Sequence, residues 1–311
     1  MKKIISIFCI GGALAPLFAL SVFSPSTCVL EWKQTKELLE DQNYQAAFNL
    51  SCKNAEIERA RQSVIYLEKY DDLGAEKDLK SADSLLNQSE FSWGKDEQSV
   101  FWEGFSDYQR GYVLAVKKSE FKAGLKTRSG ALKLENSSFA EAQIFFLVYQ
   151  YYKAKMTDWL PFKESQAQKT TSAIQSQLKS SSLFYNQLST SLIWILFDQK
   201  RFAEALSVVK NLEANAPKNR VIQQIYGDLL RHSKQIPLAM QVYQKNEQEY
   251  RRLAPYSVRH LSAMANLLIL QKMTNGAKHP FTEEFLKELP KQKKRMPSSL
   301  MDELKKQGIF N

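Results

Sequence analysis

Glycine and proline are scarce in this chain, with 11 glycines and 9 prolines among 311 residues. A protein built from many short strands needs these residue types at its turns, so their scarcity disfavours a turn-rich β fold. Long stretches of Ala, Leu, Glu, Gln and Lys favour helix instead. The apolar fraction of 44% and the charged fraction of 24% are ordinary for a globular protein and exclude wholesale disorder. We therefore expect an all-α fold.

Residue patterns for metal, nucleotide or hydrolytic chemistry are also missing from the sequence. The three histidines, His232, His260 and His279, are far apart, and none has another His or Cys at ligand spacing. No H-E-x-x-H, no G-x-S-x-G and no phosphate-cradling glycine loop occurs. We therefore expect no metal, no cofactor and no enzymatic activity.

One Glu-Ser pair keeps an enzymatic alternative open. Glu164 and Ser165 in "KESQAQ" resemble the Glu-Ser pair of lytic transglycosylases. The glycine-rich segment that should follow this pair is missing, and "KTTSAIQSQLKSSS" predicts a polar helix and a loop in its place. A peptidoglycan-acting enzyme that uses Glu164 is therefore a remote alternative.

The charge of the chain is strongly positive, with a formal net charge of +10 at pH 7. Such a balance suits an anionic partner, but positive and negative residues are interspersed over most of the chain. The densest basic cluster is "KELPKQKKRMP", residues 287–297, and no nucleic-acid-binding motif surrounds it. We expect a solvated basic tail there, with contact to an anionic surface as the alternative. We expect no nucleic-acid partner.

The first residues predict export. Two lysines at positions 2 and 3 precede an uncharged, mostly apolar run over residues 4–23, a layout typical of a secretory signal. Ala19 and Ser21 form a small-x-small pair, which favours cleavage after residue 21. The run is also about as long as the ~20 residues that span a bilayer. Residues 1–21 are therefore a signal peptide or an N-terminal membrane anchor, and in both cases the remainder is exported.

Two cysteines, Cys28 and Cys52, remain beyond the signal. An even pair in an oxidising compartment suggests a disulfide. The segment between them predicts a helical hairpin that turns near residues 41–43, with Cys28 before the first helix and Cys52 on the second. Two unlinked thiols are the alternative. A lipid on Cys28 is disfavoured, because Pro25 stands where a bacterial lipobox has leucine.

A pair of helices occurs twice in the sequence. "RFAEALSVVKNLEANAPKNR" is followed by "QIPLAMQVYQKNEQEY", and in helical register the two match at an offset of 34 residues. The helix before each stretch matches its counterpart at the same offset. The matching pairs are Phe202 with Ile236, Ala205 with Ala239, Val209 with Tyr243, Leu192 with Tyr226, Ile193 with Gly227, and Leu196 with Leu230. A fixed offset over two successive helices indicates one repeated helix-turn-helix unit.

This pattern resembles the tetratricopeptide repeat over residues 186–254. The marks of that repeat are a small residue in the first helix, an aromatic residue and an alanine in the second, and a proline after it. Those places are held here by Gly227, Phe202, Ala205, Ala239, Tyr243 and Pro217. Ala and Gly let helices approach closely, aromatic rings fill the gaps between hairpins, and proline ends a helix. Ile193 departs from the pattern, because it is large where the small residue belongs.

Residues 28–185 predict further, degenerate hairpins of the same kind. In these, Phe121 with Gly124 and Tyr44 with Ala47 are placed like Phe202 with Ala205. The aromatic stretch of residues 91–105 is expected to pack between hairpins, with a binding surface as the alternative. Residues 255–311 predict a terminal helix and a basic capping tail, and the end of that tail predicts a short capping helix with Ser298 or Ser299 as its N-cap.

The layout as a whole is similar to a family of exported bacterial tetratricopeptide proteins of largely uncharacterised function. The resemblance implies an α-solenoid of stacked antiparallel helical hairpins in the periplasm or cell envelope, a scaffold with no assigned reaction.

In such a stack the first helix of each hairpin lines a concave groove. Gln187, Thr190, Trp194 and Phe197 fall on one stripe at helical spacing, and Val221, Gln224, Asp228 and Arg231 follow one repeat later, with His232 beside them. Aromatic groups in such a stripe grip a peptide and charged groups orient it, so we expect the polar members to be exposed. Trp194 and Phe197 are core residues in the alternative reading. The function expected is an exported non-enzymatic adaptor that binds a protein or peptide, and a transporter-associated ligand-binding accessory is the alternative.

Overall fold

The structure is a computed structural model that describes residues 28–87, 94–137, 139–156, 163–178, 184–274 and 279–310. Within these residues the chain forms fifteen α-helices and no β-strand, which confirms the expected all-α class. The first eight are α1 Val29–Glu40, α2 Tyr44–Asn49, α3 Ala55–Leu73, α4 Glu76–Leu86, α5 Glu97–Val116, α6 Glu120–Leu134, α7 Ala140–Met156 and α8 Lys163–Gln177. The other seven are α9 Tyr185–Asp198, α10 Phe202–Asn215, α11 Arg220–His232, α12 Ile236–Leu253, α13 Val258–Met273, α14 Thr282–Gln292 and α15 Ser298–Lys306.

The N-terminal segment of residues 1–21, expected to be a signal or an anchor, lies outside the described residues. In the part of the chain that the structure does describe, no helix has both the length and the apolar character needed to cross a membrane.

The described residues divide into two compact units. Residues 28–70 and 76–208 belong to the first unit, and residues 71–75 and 209–310 belong to the second. The boundary falls within α10, so the segment 186–254, which best resembles the repeat, contributes to both units. Helix α9 therefore belongs to the first unit, whereas α11 and α12 belong to the second.

One turn geometry joins four pairs of helices: α1 to α2, α5 to α6, α9 to α10, and α11 to α12. Each turn contains one non-glycine residue with a φ between 55° and 60°, namely Gln42, Lys118, Lys200 or Lys234. The N–H of this residue donates to the carbonyl three residues back, and the next N–H donates to the carbonyl five residues back, at 2.7 to 3.0 Å. This is the Schellman ending of a helix, and the second helix begins two residues after the left-handed residue in all four cases.

A buried alanine follows each of these turns at the same distance. Five residues after the left-handed residue lie Ala47, Ala123, Ala205 and Ala239, all of them buried. The small side chain lets the second helix pack closely against its neighbours. The equivalence corrects one alignment made from the sequence, because Ala123 rather than Gly124 corresponds to Ala205. Phe121 is 79% exposed, and nothing lies within 4 Å of a Cβ added at Gly124, so this pair faces away from the hairpin interior.

Glycines allow the first helix to approach the second. Gly111 and Gly227 each lie seven residues before the left-handed residue of their own turn. A Cβ added to Gly227 would lie 2.8 Å from the ring of Tyr243, and one added to Gly111 would overlap the Thr127 hydroxyl. Thr127 and Tyr243 each lie nine residues after the turn residue. The same two positions therefore meet in a hairpin of each unit, at a separation that leaves no room for a side chain.

Aromatic rings fill the centre of the first unit. Trp32 of α1 stacks on Trp102 of α5 with ring centroids 4.9 Å apart, and Phe184 lies 4.8 Å from Phe105. Phe101, Trp102 and Phe105 are all buried. This part of the aromatic stretch packs inside the unit, as expected, while residues 91–93 lie outside the described residues.

The expected disulfide joins Cys28 to Cys52, whose Cα atoms are 5.4 Å apart. Cys52 was expected on the second helix of its hairpin, and that placement is wrong. Helix α2 already ends at Asn49, so Cys52 lies in the connection to α3. The disulfide therefore closes the loop around the whole α1–α2 hairpin.

A buried arginine ties the first three helices together. Arg61 of α3 donates to the Thr35 hydroxyl of α1 at 2.9 Å and to the Ala47 carbonyl of α2 at 2.8 Å. It also donates to the Leu50 carbonyl at 2.5 Å, and its charge is balanced by Glu58 at 2.6 Å. A buried guanidinium is stable only when its donors are satisfied in this way.

Arginines also surround the segment 71–75 in the second unit. Asp72 is fully buried, receives two hydrogen bonds from Arg220 at 3.0 and 2.5 Å, and accepts the Tyr250 hydroxyl at 3.2 Å. Backbone carbonyls of the same segment accept hydrogen bonds from Arg259 and Arg295. The segment is therefore held by side chains from α11, α12 and α13 and from the region after α14.

The C-terminal region contains more helix than expected. Residues 255–310 form α13, α14 and α15, where the sequence predicted a terminal helix and a short capping helix near Ser298, so α14 is the helix that was not predicted. The basic cluster of residues 287–297 includes the end of α14, and Arg295 within it donates to the Gly74 carbonyl. The cluster is therefore not a solvated tail throughout. Helix α14 contains Pro290. Because a proline inside a helix is unfavourable, the sequence did not predict this helix.

We predict opposite effects for two glycine-to-alanine changes in α6. A Cβ added to Gly130 would lie 2.5 Å from the Gly104 carbonyl oxygen, so Gly130→Ala forces α5 and α6 apart and should lower the free energy of unfolding by about 1–3 kcal/mol. Gly124→Ala meets nothing and should raise it by about 0.5–1 kcal/mol through helix propensity. Urea unfolding of both variants measures this. Equal effects of the two changes would contradict the close approach of the helices.

Candidate functional site

The predicted stripe on α9 carries polar atoms that have no intramolecular partner. Gln187 Oε1, Thr190 Oγ1 and Trp194 Nε1 are each buried without a hydrogen bond to any residue that the structure describes. The hydroxyl of the neighbouring Ser189 is in the same state. Thr190 is fully buried, so the expectation that the polar members are exposed is wrong for this residue.

Other polar side chains of α9 are satisfied within the first unit. Asn186 donates to Glu40 at 2.9 Å, and the Ser191 hydroxyl donates to the Gln187 carbonyl at 3.0 Å. At the end of the helix, Asp198 accepts the Tyr151 hydroxyl at 2.6 Å. The unpartnered atoms of Gln187, Thr190 and Trp194 therefore lie on the stripe that the repeat spacing had singled out, whereas Ser189 lies on another side of the helix.

The aromatic members of the α9 stripe are half-buried. The ring of Trp194 packs edge-on against that of Phe197 at 5.5 Å, and Phe197 packs against Phe202 of α10 at 5.3 Å. The two residues thus contribute part of their surface to packing and leave part of it accessible. Neither the fully exposed nor the fully buried alternative describes them.

The predicted stripe on α11 belongs largely to an internal network of the second unit. Asp228 accepts the hydroxyl of Tyr243 at 2.5 Å and the side-chain amide of Gln224 at 3.3 Å. Arg231 donates to Glu303 of α15 at 2.8 Å. Gln224 is buried, so the expected exposure of this residue is also wrong. These contacts hold α11, α12 and α15 together.

Two atoms of the α11 stripe take no part in the hydrogen bonds of that network. Gln224 Oε1 and Arg231 Nε are buried with no hydrogen-bond partner among the described residues. His232, the last residue of α11, is exposed as expected. The α11 stripe therefore combines satisfied and unsatisfied groups, whereas the α9 stripe has a continuous set of unsatisfied ones.

Burial sets the protonation of the α11 network. It raises the pKa of Asp228, an effect that the charge of Arg231 and the hydrogen bond from Tyr243 oppose but do not cancel. Burial, with the carboxylate of Asp228 next to it, holds the pKa of Tyr243 well above its ordinary value. Partial desolvation of its ring, followed by the charge of Arg231, lowers the pKa of His232, although the residue as a whole is exposed. The Tyr243 hydroxyl is consequently a permanent donor to Asp228.

The histidines do not form a site in the described part of the chain. His260 is fully buried, accepts the Tyr256 N–H on Nδ1 at 2.9 Å and faces Glu247 from Nε2 at 3.1 Å. Because Nδ1 accepts, Nε2 carries the proton and donates to Glu247. No group of three or more His, Cys, Asp or Glu side chains among the described residues is arranged to hold a metal ion. The side chains of Glu164 and Ser165, the enzymatic alternative, lie outside the described residues.

The residues expected to mark the repeat occupy equivalent local positions. Phe202 and Ile236 open α10 and α12, and Pro217 follows the end of α10 by two residues. The sequence did not reveal Gly111, Thr127 and Ala123, which hold the same positions in the α5–α6 hairpin. Counting residues from the turn would have identified them. The turn itself could not be located from the sequence, because Lys118 is not a residue type typical of turns.

Comparison with known proteins gives no matching family model, no matching curated protein and no matching solved structure. The tetratricopeptide resemblance therefore rests on the residues and turn geometry of this chain alone.

We predict that the two substitutions of Asp228 differ in their pH dependence. The raised pKa means that Asp228 contributes stability below its ordinary pKa and loses that contribution as pH rises through the higher folded value. Asp228→Asn keeps an acceptor for the Tyr243 hydroxyl and does not titrate. The free energy of unfolding of this variant, relative to that of wild type, should therefore increase from about pH 4 to pH 7. Asp228→Ala leaves the Tyr243 hydroxyl without an acceptor and should cost about 1–3 kcal/mol near pH 4, a cost that becomes smaller as the pH rises.

Urea unfolding of the three proteins across that pH range provides the measurement. A constant difference between Asp228→Asn and wild type at all pH values would show that Asp228 does not titrate with a raised pKa.

Proposed function

We propose that this protein is an exported, non-enzymatic helical-repeat adaptor that binds an extended peptide segment of a partner protein along the α9 stripe, Gln187, Thr190 and Trp194. The observation that carries the proposal is the set of unpartnered hydrogen-bonding atoms on this stripe. A buried polar atom without a partner costs about 1–3 kcal/mol, so several on one surface of a helix are a substantial penalty unless a ligand satisfies them.

A peptide backbone matches these atoms in kind. Gln187 Oε1 accepts a hydrogen bond from a backbone N–H group and Trp194 Nε1 donates to a backbone carbonyl, whereas the fully buried Thr190 hydroxyl becomes accessible as an acceptor only when neighbouring side chains move. Gln187 and Trp194 are half-buried, so a change of rotamer presents their polar atoms to a ligand. The half-buried rings of Trp194 and Phe197 add apolar contact beside them.

The scaffold role is supported by the repeated hairpin. Four turns share one hydrogen-bond pattern and one alanine spacing, which is the local regularity expected of stacked repeats. We propose that the hairpins stack into a tetratricopeptide-like solenoid. Export is supported by the N-terminal run of residues 4–23 and by the disulfide between Cys28 and Cys52, since such bonds persist in oxidising compartments.

We predict that removing the unpartnered atoms weakens binding without weakening the fold. Thr190→Val keeps the volume and deletes the hydroxyl, whereas Trp194→Phe deletes the indole N–H together with part of the aromatic surface. Because the Thr190 hydroxyl has no partner among the described residues, the free energy of unfolding should stay the same or rise for Thr190→Val and should fall for Trp194→Phe only by the ring contact that is lost. Capture of envelope proteins by the tagged double variant should fall at least tenfold relative to wild type, as measured by quantitative mass spectrometry after crosslinking in intact cells.

Ser191→Ala is the matched control on the same helix. Its hydroxyl already bonds to the Gln187 carbonyl, so this change should leave the set of captured proteins unaltered. Unchanged capture by the Thr190→Val, Trp194→Phe double variant would remove the α9 stripe from the proposal. A fall in stability that parallels the fall in capture would show that the two atoms serve the fold.

A further inference from the structure

Helix α6 has a second apolar face that is exposed in the part of the chain that the structure describes. Phe121, Leu125 and Leu132 are 79%, 51% and 49% exposed, and Arg128 is exposed between them. At 3.6 residues per turn these four side chains fall within an arc of about 60° of the helix, which we call the outer stripe of α6. An exposed phenylalanine aligned with two exposed leucines is unusual on a surface that has no ligand.

The hairpin geometry fixes the direction of this stripe. Ala123, Thr127 and Gly130 are on the buried face of α6, where an added Cβ at Gly130 would strike the α5 backbone. Gly124 lies about 90° around the helix from that face, beside the outer stripe, where nothing lies within 4 Å of an added Cβ. The outer stripe is therefore a ridge and has no neighbouring wall at Gly124.

The cations of α6 divide between the two faces. Lys126 and Lys133 turn toward the α5 side and pair with Asp107 at 3.3 and 2.8 Å. Lys122 and Arg128 are exposed and make no ion pair with any residue that the structure describes. The apolar ridge is therefore accompanied by two cations that are available to an external anion, on a chain whose net charge is +10.

We propose that the outer stripe of α6 docks on the surface of an anionic lipid bilayer. Phe121, Leu125 and Leu132 enter the interfacial layer, while Lys122 and Arg128 pair with lipid phosphates. A helix with exposed Phe and Leu beside Lys and Arg has the composition of an interfacial membrane helix. A partner helix would instead need a groove with walls, and the open space at Gly124 provides none. This proposal is independent of the peptide-binding role of α9.

A fluorescent dye next to the outer stripe of α6 tests the proposal on the full chain. Gly124→Cys, in a Cys9→Ser background that keeps the Cys28–Cys52 disulfide, carries an environment-sensitive dye in the open position. With vesicles of phosphatidylcholine and phosphatidylglycerol, the emission should shift to the blue, and high salt should reverse the shift because it screens the charges. With vesicles of phosphatidylcholine alone, the shift should be absent or much smaller.

The matched control places the same dye on α12 through Leu238→Cys. Leu238 is 46% exposed and lies outside α6, so its dye should not shift. Equal shifts at the two positions would show that the apolar run of residues 4–23 delivers the whole chain to vesicles without a role for α6. That result would overturn the proposal, as would the absence of a shift at position 124.

Substitutions in the stripe separate its two contributions. Phe121→Ser with Leu125→Ser should abolish the shift at position 124, and Lys122→Gln and Arg128→Gln should each weaken vesicle binding about fivefold. All four residues are exposed, so the circular dichroism spectrum and the unfolding midpoint should not change. A shift that persists in the double serine variant, or that appears only with a soluble acidic amphipathic peptide, would contradict membrane docking.

Discussion

Two helices can pack closely at a crossing point where at least one of them lacks a side chain, and one hairpin of each unit depends on this constraint. In the first unit Gly104 and Gly130 meet at such a point, and in the second Gly227 meets the ring of Tyr243. The turn must then deliver the second helix at one rotation, which the left-handed turn residue does. The inward and outward faces of every second helix follow from these two conditions.

This constraint also explains where the unusual surfaces lie. Ala123 and Gly130 are directed inward. The helix geometry then places Phe121 and Leu125 on the outward side of α6, although both are apolar. In α9 the position held by glycine in two other hairpins is occupied by the fully buried Ile193. This hairpin therefore packs without a glycine at that position, and polar residues of the same helix, such as Thr190, are buried beside Ile193 in sequence.

The repeat between α10 and α12 could be predicted because the two copies are the same length, so Ala205 and Ala239 align at a constant offset. The α5–α6 hairpin was misaligned by one residue, because its turn residue, Lys118, lies 82 residues before Lys200 and is not a typical turn former. The burial of Thr190 could not be predicted, since helical spacing orders side chains around one helix without showing what covers them. The pairing of Asp228 with Tyr243 depends on the Gly227 crossing and becomes apparent only once that crossing is known.

The left-handed positions of the four turns are filled by three lysines and a glutamine. A residue with a Cβ costs about 1–2 kcal/mol in that conformation, a strain that glycine does not have. Glycine at any of the four positions would relieve that strain but would give the unfolded chain more conformational freedom, so each turn balances native-state strain against unfolded-state entropy.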